Sequence, residues 1–286
     1  MTHFRIVERS ARDQLGEGPI WVARLGRLFW VDILGRRLWS LNLADDTVQS
    51  WEMPEPIGWI VERDGRDDFL IGLASGIAGL TLEPFAITPL IAPESDRPDN
   101  RLNDAKVDAQ GQLWFGTKSD TNPQSKGALY RLDRDLAVTR HDDGYGVTNG
   151  PTFSMDGRWL YHTDSDARTI YRFPLGDDGS LGPREEFIHF APEWGYPDGM
   201  TTDSDNGLWI AHWAGGRISR FTPDGALDRS ITLPARNVTS ACFAGDRLNR
   251  LFVTSATVDS EGEAEAGALF EVETGMTGRP ATAFAA

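Results

Sequence analysis

The stretch GEGPIWVARLGRLFWVD (residues 16–32) has a near copy far along the chain, VTNGPTFSMDGRWLYHTD (residues 147–164). In each, a polar residue stands directly before Gly-Pro, and an apolar segment ends on an Asp fifteen residues later. Short segments rich in β-branched and aromatic residues and bounded by turn residues are typical of β-strands. The two stretches therefore predict a β unit that occurs more than once.

The residues around the first copy extend this unit to four strands. We predict strands over roughly residues 19–23, 28–33, 37–43 and 47–53. Turn signals such as RDGR, SMDG and TPDG separate apolar segments along the rest of the chain, and long runs with helical spacing are missing. Since four strands make one blade of a β-propeller, the pattern predicts an all-β propeller.

The length of the repeat gives the number of blades. When the units are aligned on their apolar second strand, one residue of each unit falls just before its first strand, and we call these residues the anchors. The intervals between anchors are 41, 45, 46, 49 and 41 residues, which is the length of a blade. We therefore predict one six-bladed β-propeller domain over residues 1–286, with four-stranded antiparallel blades. The anchors are Glu17, Gly58, Asn103, Asn149, Asp198 and Thr239.

Four of the six anchors are carboxylates or amides. The first strand of every blade lines the central channel, so side chains far apart in sequence meet there. Carboxylate and amide oxygens suit divalent cations that take oxygen ligands, and two carboxylates without a cation would repel each other. Asn-Gly and Asp-Gly are also ordinary turn signals, but Glu17 is not a favoured turn former. The pattern favours a cation site at one end of the channel.

Other polar positions have structural interpretations. A second aligned position ends the second strand of four units, where we expect side chains that hydrogen-bond the strand ends. The five histidines have no metal-binding spacing, so His162 and His212 are predicted to have hydrogen-bond partners rather than to be ligands. No nucleophile elbow, P-loop or dinucleotide fingerprint occurs. The residues at the second position are Asp32, Thr117, Asp164 and His212.

Composition limits the partners. The net charge of −15, with no basic cluster, argues against nucleic acid and anionic membranes. Cys242 is the single cysteine, which excludes a disulfide framework, and its apolar neighbours predict that it is buried. No signal-like segment or run of about 18 apolar residues occurs, so we expect a cytoplasmic protein. A closed propeller has no edges to cover, so we expect a monomer, with the acidic stretch 255–267 as a solvated loop in the last blade.

Five stretches resemble a known family: LGEGPIW, RPDNRLNDAKVDAQGQLWFGT, VTNGPTFSMDGRWLYHTDS, YPDGMTTDSDNGLWIAHWAGG and NVTSACFAGDRLNRLFVTSA. Over about residues 15–257 the chain resembles the SMP-30/gluconolactonase/regucalcin family. The resemblance implies one divalent cation held by Glu17, Asn149 and Asp198, and contact of Arg101 and Asn103 with sugar hydroxyls. It further implies hydrolysis of an aldonolactone of the gluconolactone, xylonolactone or arabinonolactone type. The cation could be calcium, zinc, manganese, magnesium or iron(II), since all accept these oxygen ligands.

Three side chains near the implied site have open roles. Where the family usually has Met after FGT, this chain has Lys118, which could contact a substrate hydroxyl or the product carboxylate, or could face solvent. Trp194 and Tyr196 could stack on a sugar or pack at the rim.

We take Asp198 as the candidate general base, although coordination to a cation would lower its basicity.

Two other functions are compatible with the sequence. A metal-dependent esterase or phosphotriesterase would use the same polarising cation, although Arg101 and Asn103 speak mildly against it. A non-catalytic calcium- or sugar-binding propeller would hold the cation for structure alone.

Overall fold

The computed structural model describes residues 4–260 and 262–285. The strands of these residues form six antiparallel sheets of four strands each, arranged in a ring. In five of these sheets the strands pair in chain order, and in the sixth the N-terminal strand pairs with the last strand. The innermost strand of each sheet lies beside the innermost strands of the neighbouring sheets. The predicted six-bladed β-propeller is therefore confirmed.

The first three blades follow one another along the chain. Blade one contains β2 (Gly16–Val22), β3 (Arg27–Asp32), β4 (Arg37–Asn42) and β5 (Val48–Glu52). Blade two contains β6 (Ile57–Glu62), β7 (Phe69–Leu73), β8 (Gly76–Leu82) and β9 (Phe85–Ile91). Blade three contains β10 (Asn100–Val107), β11 (Leu113–Ser119), β12 (Gly127–Leu132) and β13 (Val138–Tyr145).

The remaining blades include one that joins the first and last strands of the described chain. Blade four contains β14 (Thr148–Phe153), β15 (Trp159–Asp164), β16 (Thr169–Pro174) and β17 (Glu185–His189). Blade five contains β18 (Tyr196–Thr202), β19 (Leu208–Trp213), β20 (Arg217–Phe221) and β21 (Leu227–Thr232). Blade six contains β22 (Asn237–Ala244), β23 (Arg250–Ala256), β24 (Phe270–Val272) and the N-terminal strand β1 (Phe4–Ile6).

The apolar core of the described residues is divided among the junctions between blades. Each junction holds a cluster of buried apolar side chains contributed by two neighbouring sheets. Between blades six and one, for example, Trp30 and Trp39 pack with Phe252 and with Cys242, which is 7% exposed. Cys242 is thus buried as predicted. Because each blade packs two faces, the six sheets hold one another in place around the channel.

The anchors differ from the prediction in one respect, because they lie inside the first strands rather than before them. At every anchor the pairing between first and second strand shifts register. Such a β-bulge opposes two residues to one and redirects a side chain. The Gly that follows Glu17 and Asn149 adopts a positive φ in the bulge, at 51° for Gly18 and 69° for Gly150. Glu-Gly and Asn-Gly are therefore bulge signals here and not turns.

The rest of the chain is short connections. Two 3-10 helices occur among the described residues, Ala23–Leu25 and Pro192–Trp194. The acidic stretch links β23 to β24 within blade six, as expected, and Glu261 in it lies outside the described residues. No helix in the described part of the chain is long and apolar enough to span a membrane.

Candidate functional site

One end of the channel opens into a pocket of about 390 Å³. The bulged first strands supply four of its side chains, and these are the four polar anchors of the sequence prediction. A pocket of this size can enclose a small sugar-like molecule. Its lining residues are Leu15, Glu17, Arg101, Asn103, Lys118, Val147, Asn149, Ser165, Asp166, Tyr196, Asp198 and Trp213.

The other two anchors have structural roles. The Thr239 hydroxyl donates a hydrogen bond to the Gly16 carbonyl at 2.6 Å and so joins blade six to blade one. At Gly58, a Cβ atom would come within 2.7 Å of the Asn103 carbonyl oxygen of the next blade. A larger side chain has no room there, which explains why the second blade contributes nothing to the pocket.

Two carboxylates are buried in the pocket without a cationic partner. Glu17 and Asp198 are each 6% exposed, and neither forms an ion pair within the described residues. Burial raises the pKa of Glu17 well above its usual value, and the nearby Asp198 charge raises it further. Burial likewise raises the pKa of Asp198, and the charge of Asp104 adds to this effect. A bound divalent cation would relieve both the burial and the repulsion of these charges.

The two pocket amides point in defined directions. Arg101, which can only donate, gives a hydrogen bond from Nη1 to Oδ1 of Asn103 at 2.7 Å. The Asn103 Nδ2 then donates to Oδ1 of Asn149 at 2.9 Å and to the Thr148 carbonyl at 2.6 Å. Each of these amide oxygens accepts one hydrogen bond. The donor to the Asn103 oxygen is a charged guanidinium, which would repel a metal cation, whereas the donor to the Asn149 oxygen is a neutral amide.

The oxygen atoms of this pocket fit a divalent cation, but they come from three of the four polar anchors and not from all four. Glu17, Asp198 and the Asn149 oxygen form a hard-oxygen set, whereas the Asn103 oxygen is occupied by Arg101. No group of three or more His, Cys, Asp or Glu side chains suited to a metal occurs in the described part of the chain. Any cation here would therefore depend on an amide oxygen as well as on the two carboxylates.

Lys118 lines the pocket and does not face solvent. Its side chain is 19% exposed, and its Nζ lies 3.0 Å from Oδ1 of Asp120. The same Asp120 accepts hydrogen bonds from Nε of Arg101 at 2.5 Å and from Nη2 at 3.2 Å. These two cations lower the pKa of Asp120 to about 2 against the effect of its burial. Asp120 therefore holds Arg101 and Lys118 together beside the pocket.

The structure separates the two aromatic candidates. Tyr196 lines the pocket, with the Arg168 guanidinium 3.8 Å above its ring. Trp194 packs at the rim instead, against Phe190 and Phe221 at ring distances of 5.6 and 6.0 Å. Trp213, which the sequence analysis did not single out, lines the pocket in its place.

The sequence analysis missed several residues at the pocket, because they lie in the connections after the second strands and not in the first strands. Asp120, Ser165 and Asp166 follow the second strands of blades three and four. In an antiparallel blade, the second strand ends at the face where the first begins, so these connections surround the same pocket. The antiparallel topology of a blade was therefore the signal that could have pointed to these residues. Asp104 was also missed, and it lines a second cavity of about 70 Å³ further along the channel.

The strand-end residues behave as predicted. Asp32 accepts hydrogen bonds from the backbone of Gln14, Leu15 and Gly35, and Asp164 accepts from the connection that precedes its blade. The Thr117 hydroxyl accepts from the Ala128 amide.

The prediction for the histidines was half right. His212 Nδ1 lies 2.8 Å from the Trp194 carbonyl oxygen. Both ring nitrogens of His162, in contrast, are buried without a hydrogen-bond partner in the described residues. The prediction of a partner was therefore wrong for His162.

A family comparison covers most of the chain. The model of the SMP-30/Gluconolactonase/LRE-like region matches residues 15–257, which is most of the chain. The chain belongs to this family. The match spans the first strands that carry Glu17, Asn149 and Asp198.

Members of the SMP-30/gluconolactonase family resemble the chain over nearly its full length. The pentonolactonase XacC of Haloferax volcanii is 36% identical, with 98% of this chain and 97% of the relative covered. The L-arabinolactonase of Azospirillum brasilense is 34% identical, with coverages of 96% and 94%. Among solved structures, the calcium-binding protein regucalcin from Agrobacterium tumefaciens superimposes with a TM-score of 0.92 at 27% identity, covering 100% of this chain and 98% of that one.

Proposed function

We propose that this protein hydrolyses a sugar-derived aldonolactone to the open-chain aldonic acid and depends on one divalent cation. The observation that carries the proposal is the coexistence in one pocket of two buried carboxylates without cationic partners and of the hydrogen-bonding pair Arg101 and Asn103. The names of the relatives, pentonolactonase and L-arabinolactonase, support the same substrate class.

The residues that would hold the cation are Glu17, Asn149 and Asp198. A divalent cation at this place would supply Lewis-acid polarisation of the lactone carbonyl. Calcium, zinc, manganese, magnesium and iron(II) all accept such oxygen ligands, and the name of the regucalcin structure supports including calcium.

The other pocket residues would position the substrate and accept a proton. Arg101 and Asn103 would bind hydroxyls of the sugar and so present its carbonyl in one orientation. The Asp198 carboxylate is the candidate base, because it lies in the pocket beside the position proposed for the cation, although coordination would lower its basicity. The water oxygen would bond to the carbonyl carbon while one water proton passes to Asp198. The bond between the carbonyl carbon and the ring oxygen would then break as Asp198 gives that proton to the ring oxygen.

A proton-release assay with a panel of pentono- and hexonolactones tests the proposal. Chelated protein should act at the spontaneous rate, and adding back one cation should restore turnover. Asp198→Asn should lower kcat/KM by at least about 100-fold, because it removes both a ligand and the base. Asp178→Asn, the same change at a fully exposed turn, serves as the control and should act like the unmodified protein.

Two outcomes would contradict the proposal. One is that a cation-loaded protein hydrolyses no lactone above the spontaneous rate. The other is that Asp198→Asn keeps full activity and full cation affinity.

A further inference from the structure

Ser165 is a buried serine, 8% exposed, in the connection after the second strand of blade four. Its hydroxyl donates a hydrogen bond to the Pro197 carbonyl at 2.6 Å. The same oxygen accepts one from Nδ2 of Asn149 at 2.9 Å. Ser165 therefore links Asn149 of blade four to the residue directly before Asp198 in blade five.

These contacts complete a chain of hydrogen bonds that runs in one direction. Arg101 donates to Asn103, Asn103 to Asn149, Asn149 to Ser165, and Ser165 to Pro197. Both ends are fixed, because a guanidinium can only donate and a carbonyl oxygen can only accept. A reversed amide anywhere in the chain would bring two donors or two acceptors together. The chain thus determines which way both amides face.

We propose that Ser165 is a positioning residue that fixes the Asn149 amide so that its oxygen, and not its NH₂ group, is available to a divalent cation. A hydroxyl has a single proton, and Ser165 uses it toward Pro197. What it offers Asn149 is a lone pair, which only the Nδ2 group can use. The inference rests on the proposed function in so far as Asn149 is a cation ligand.

Loss of the Ser165 hydroxyl should therefore act on cation affinity. In Ser165→Ala the Nδ2 group loses its partner, so the hydrogen bond from Asn103 is the only one of the two contacts left to hold the amide oxygen in place. Hydrogen-bonding groups behind a metal ligand are typically worth about 10- to 100-fold in affinity. We expect a weakening of this size in the dissociation constant for Ca²⁺ or Mn²⁺, measured by titration calorimetry on chelated protein without any lactone.

A double-mutant cycle with Asn149→Asp distinguishes orientation from general packing. A carboxylate has two equivalent oxygens, so it needs no neighbour to choose between them. In the Asn149→Asp background, Ser165→Ala should change the dissociation constant by less than about threefold. An equal loss in both backgrounds would mean that the serine acts through packing, and would overturn the inference.

Two further variants complete the experiment. Ser165→Thr keeps the hydroxyl and should restore the cation affinity. If the added methyl group does not fit, the double-mutant cycle with Asn149→Asp still tests the role of Ser165. Ser219→Ala removes a buried hydroxyl that contacts Ser230, away from the pocket, and should leave affinity unchanged.

Failure of this inference can be told apart from failure of the proposed function. Cation binding that weakens in Ser165→Ala, in a protein that hydrolyses no lactone, supports the role of Ser165 and contradicts the lactonase proposal. Active, cation-dependent protein whose affinity is the same in Ser165→Ala overturns only the role of Ser165. Protein that binds no divalent cation overturns both.

Discussion

His162 illustrates at the scale of one residue how burial alone sets a charge state. It is fully buried in the second strand of blade four, with the Tyr145 ring edge-on at 4.8 Å. Since no partner in the described residues satisfies the ring nitrogens, desolvation lowers the pKa of His162 to about 3. The imidazole ring of His162 is therefore neutral in the folded protein.

The consequence for stability follows from the sign of this shift. Unfolded, a histidine binds a proton near pH 6.5, whereas folded His162 stays neutral to about pH 3. The unfolded chain thus gains a proton first as the pH falls. Above about pH 6.5 the neutral His162 side chain makes its full contribution to the free energy of unfolding. This contribution is lost progressively as the pH falls toward 3, by up to about 5 kcal/mol.

We predict that His162→Phe makes the protein less sensitive to acid. Between pH 7 and pH 4.5 the unfolding free energy of the variant should fall by roughly 2–3 kcal/mol less than that of the unmodified protein. Urea unfolding of cation-free protein at both pH values measures the difference. His162→Leu provides a smaller apolar side chain, and His189→Gln, at an exposed site, is the control. Equal losses in His162→Phe, His162→Leu and the unmodified protein would contradict the prediction.

At the scale of the element, the bulge in each first strand decides what reaches the pocket. The glycines around the bulges allow neighbouring first strands to approach closely. A Cβ at Gly58 would meet two backbone carbonyl oxygens of β10, at 2.7 and 2.9 Å. Backbone atoms cannot move aside as a flexible side chain can, so blades two and three would have to separate.

Gly58→Ala should therefore destabilise the propeller by about 1–3 kcal/mol, the usual cost of overpacking a close contact. Gly79→Ala is the matched control, because it lies in β8 of the same blade and its Cβ would have no heavy atom closer than 3.9 Å. Chemical denaturation of both variants tests this expectation. Equal stability of the two would show that the junction between blades is not tightly packed.

At the scale of the whole molecule, the ring closes through β1. This short strand pairs with β24, so the first and last strands of the described chain share blade six. Val7, which is 2% exposed, follows β1 and packs between blades six and one. The closure joins parts of the chain more than 260 residues apart, and it covers an edge strand that would otherwise be open to pairing.

Deleting residues 1–7 should lower the unfolding free energy by about 3–5 kcal/mol, since the deletion removes the strand pairing and the buried Val7 side chain. The uncovered edge of β24 should also promote concentration-dependent association. Denaturation and light scattering measure the two effects. Arg5→Ala, which removes only ion pairs of a side chain that is 44% exposed, should cost less than about 1 kcal/mol. A deletion variant as stable as Arg5→Ala would argue against closure by β1.

Much of the fold could be predicted from the sequence because strands and turns are local. Apolar alternation and turn residues identified blade one to within about three residues at each boundary. The 41- to 49-residue spacing gave the number of blades, and it brought Glu17, Asn103, Asn149 and Asp198 into one pocket. The closing strand β1 was missed, because a strand of only three residues carries no repeat signal of its own.

The amino-acid sequence by itself determined the propeller and the four polar anchors, since both depend on patterns that repeat along the chain. Only the tertiary structure decided how these side chains are used. The pairing of Lys118 with Asp120, the direction of the Asn149 amide toward Ser165, and the isolation of His162 all depend on groups brought together by folding. Periodicity specifies where a side chain is placed, whereas hydrogen-bond direction depends on the neighbour that it meets.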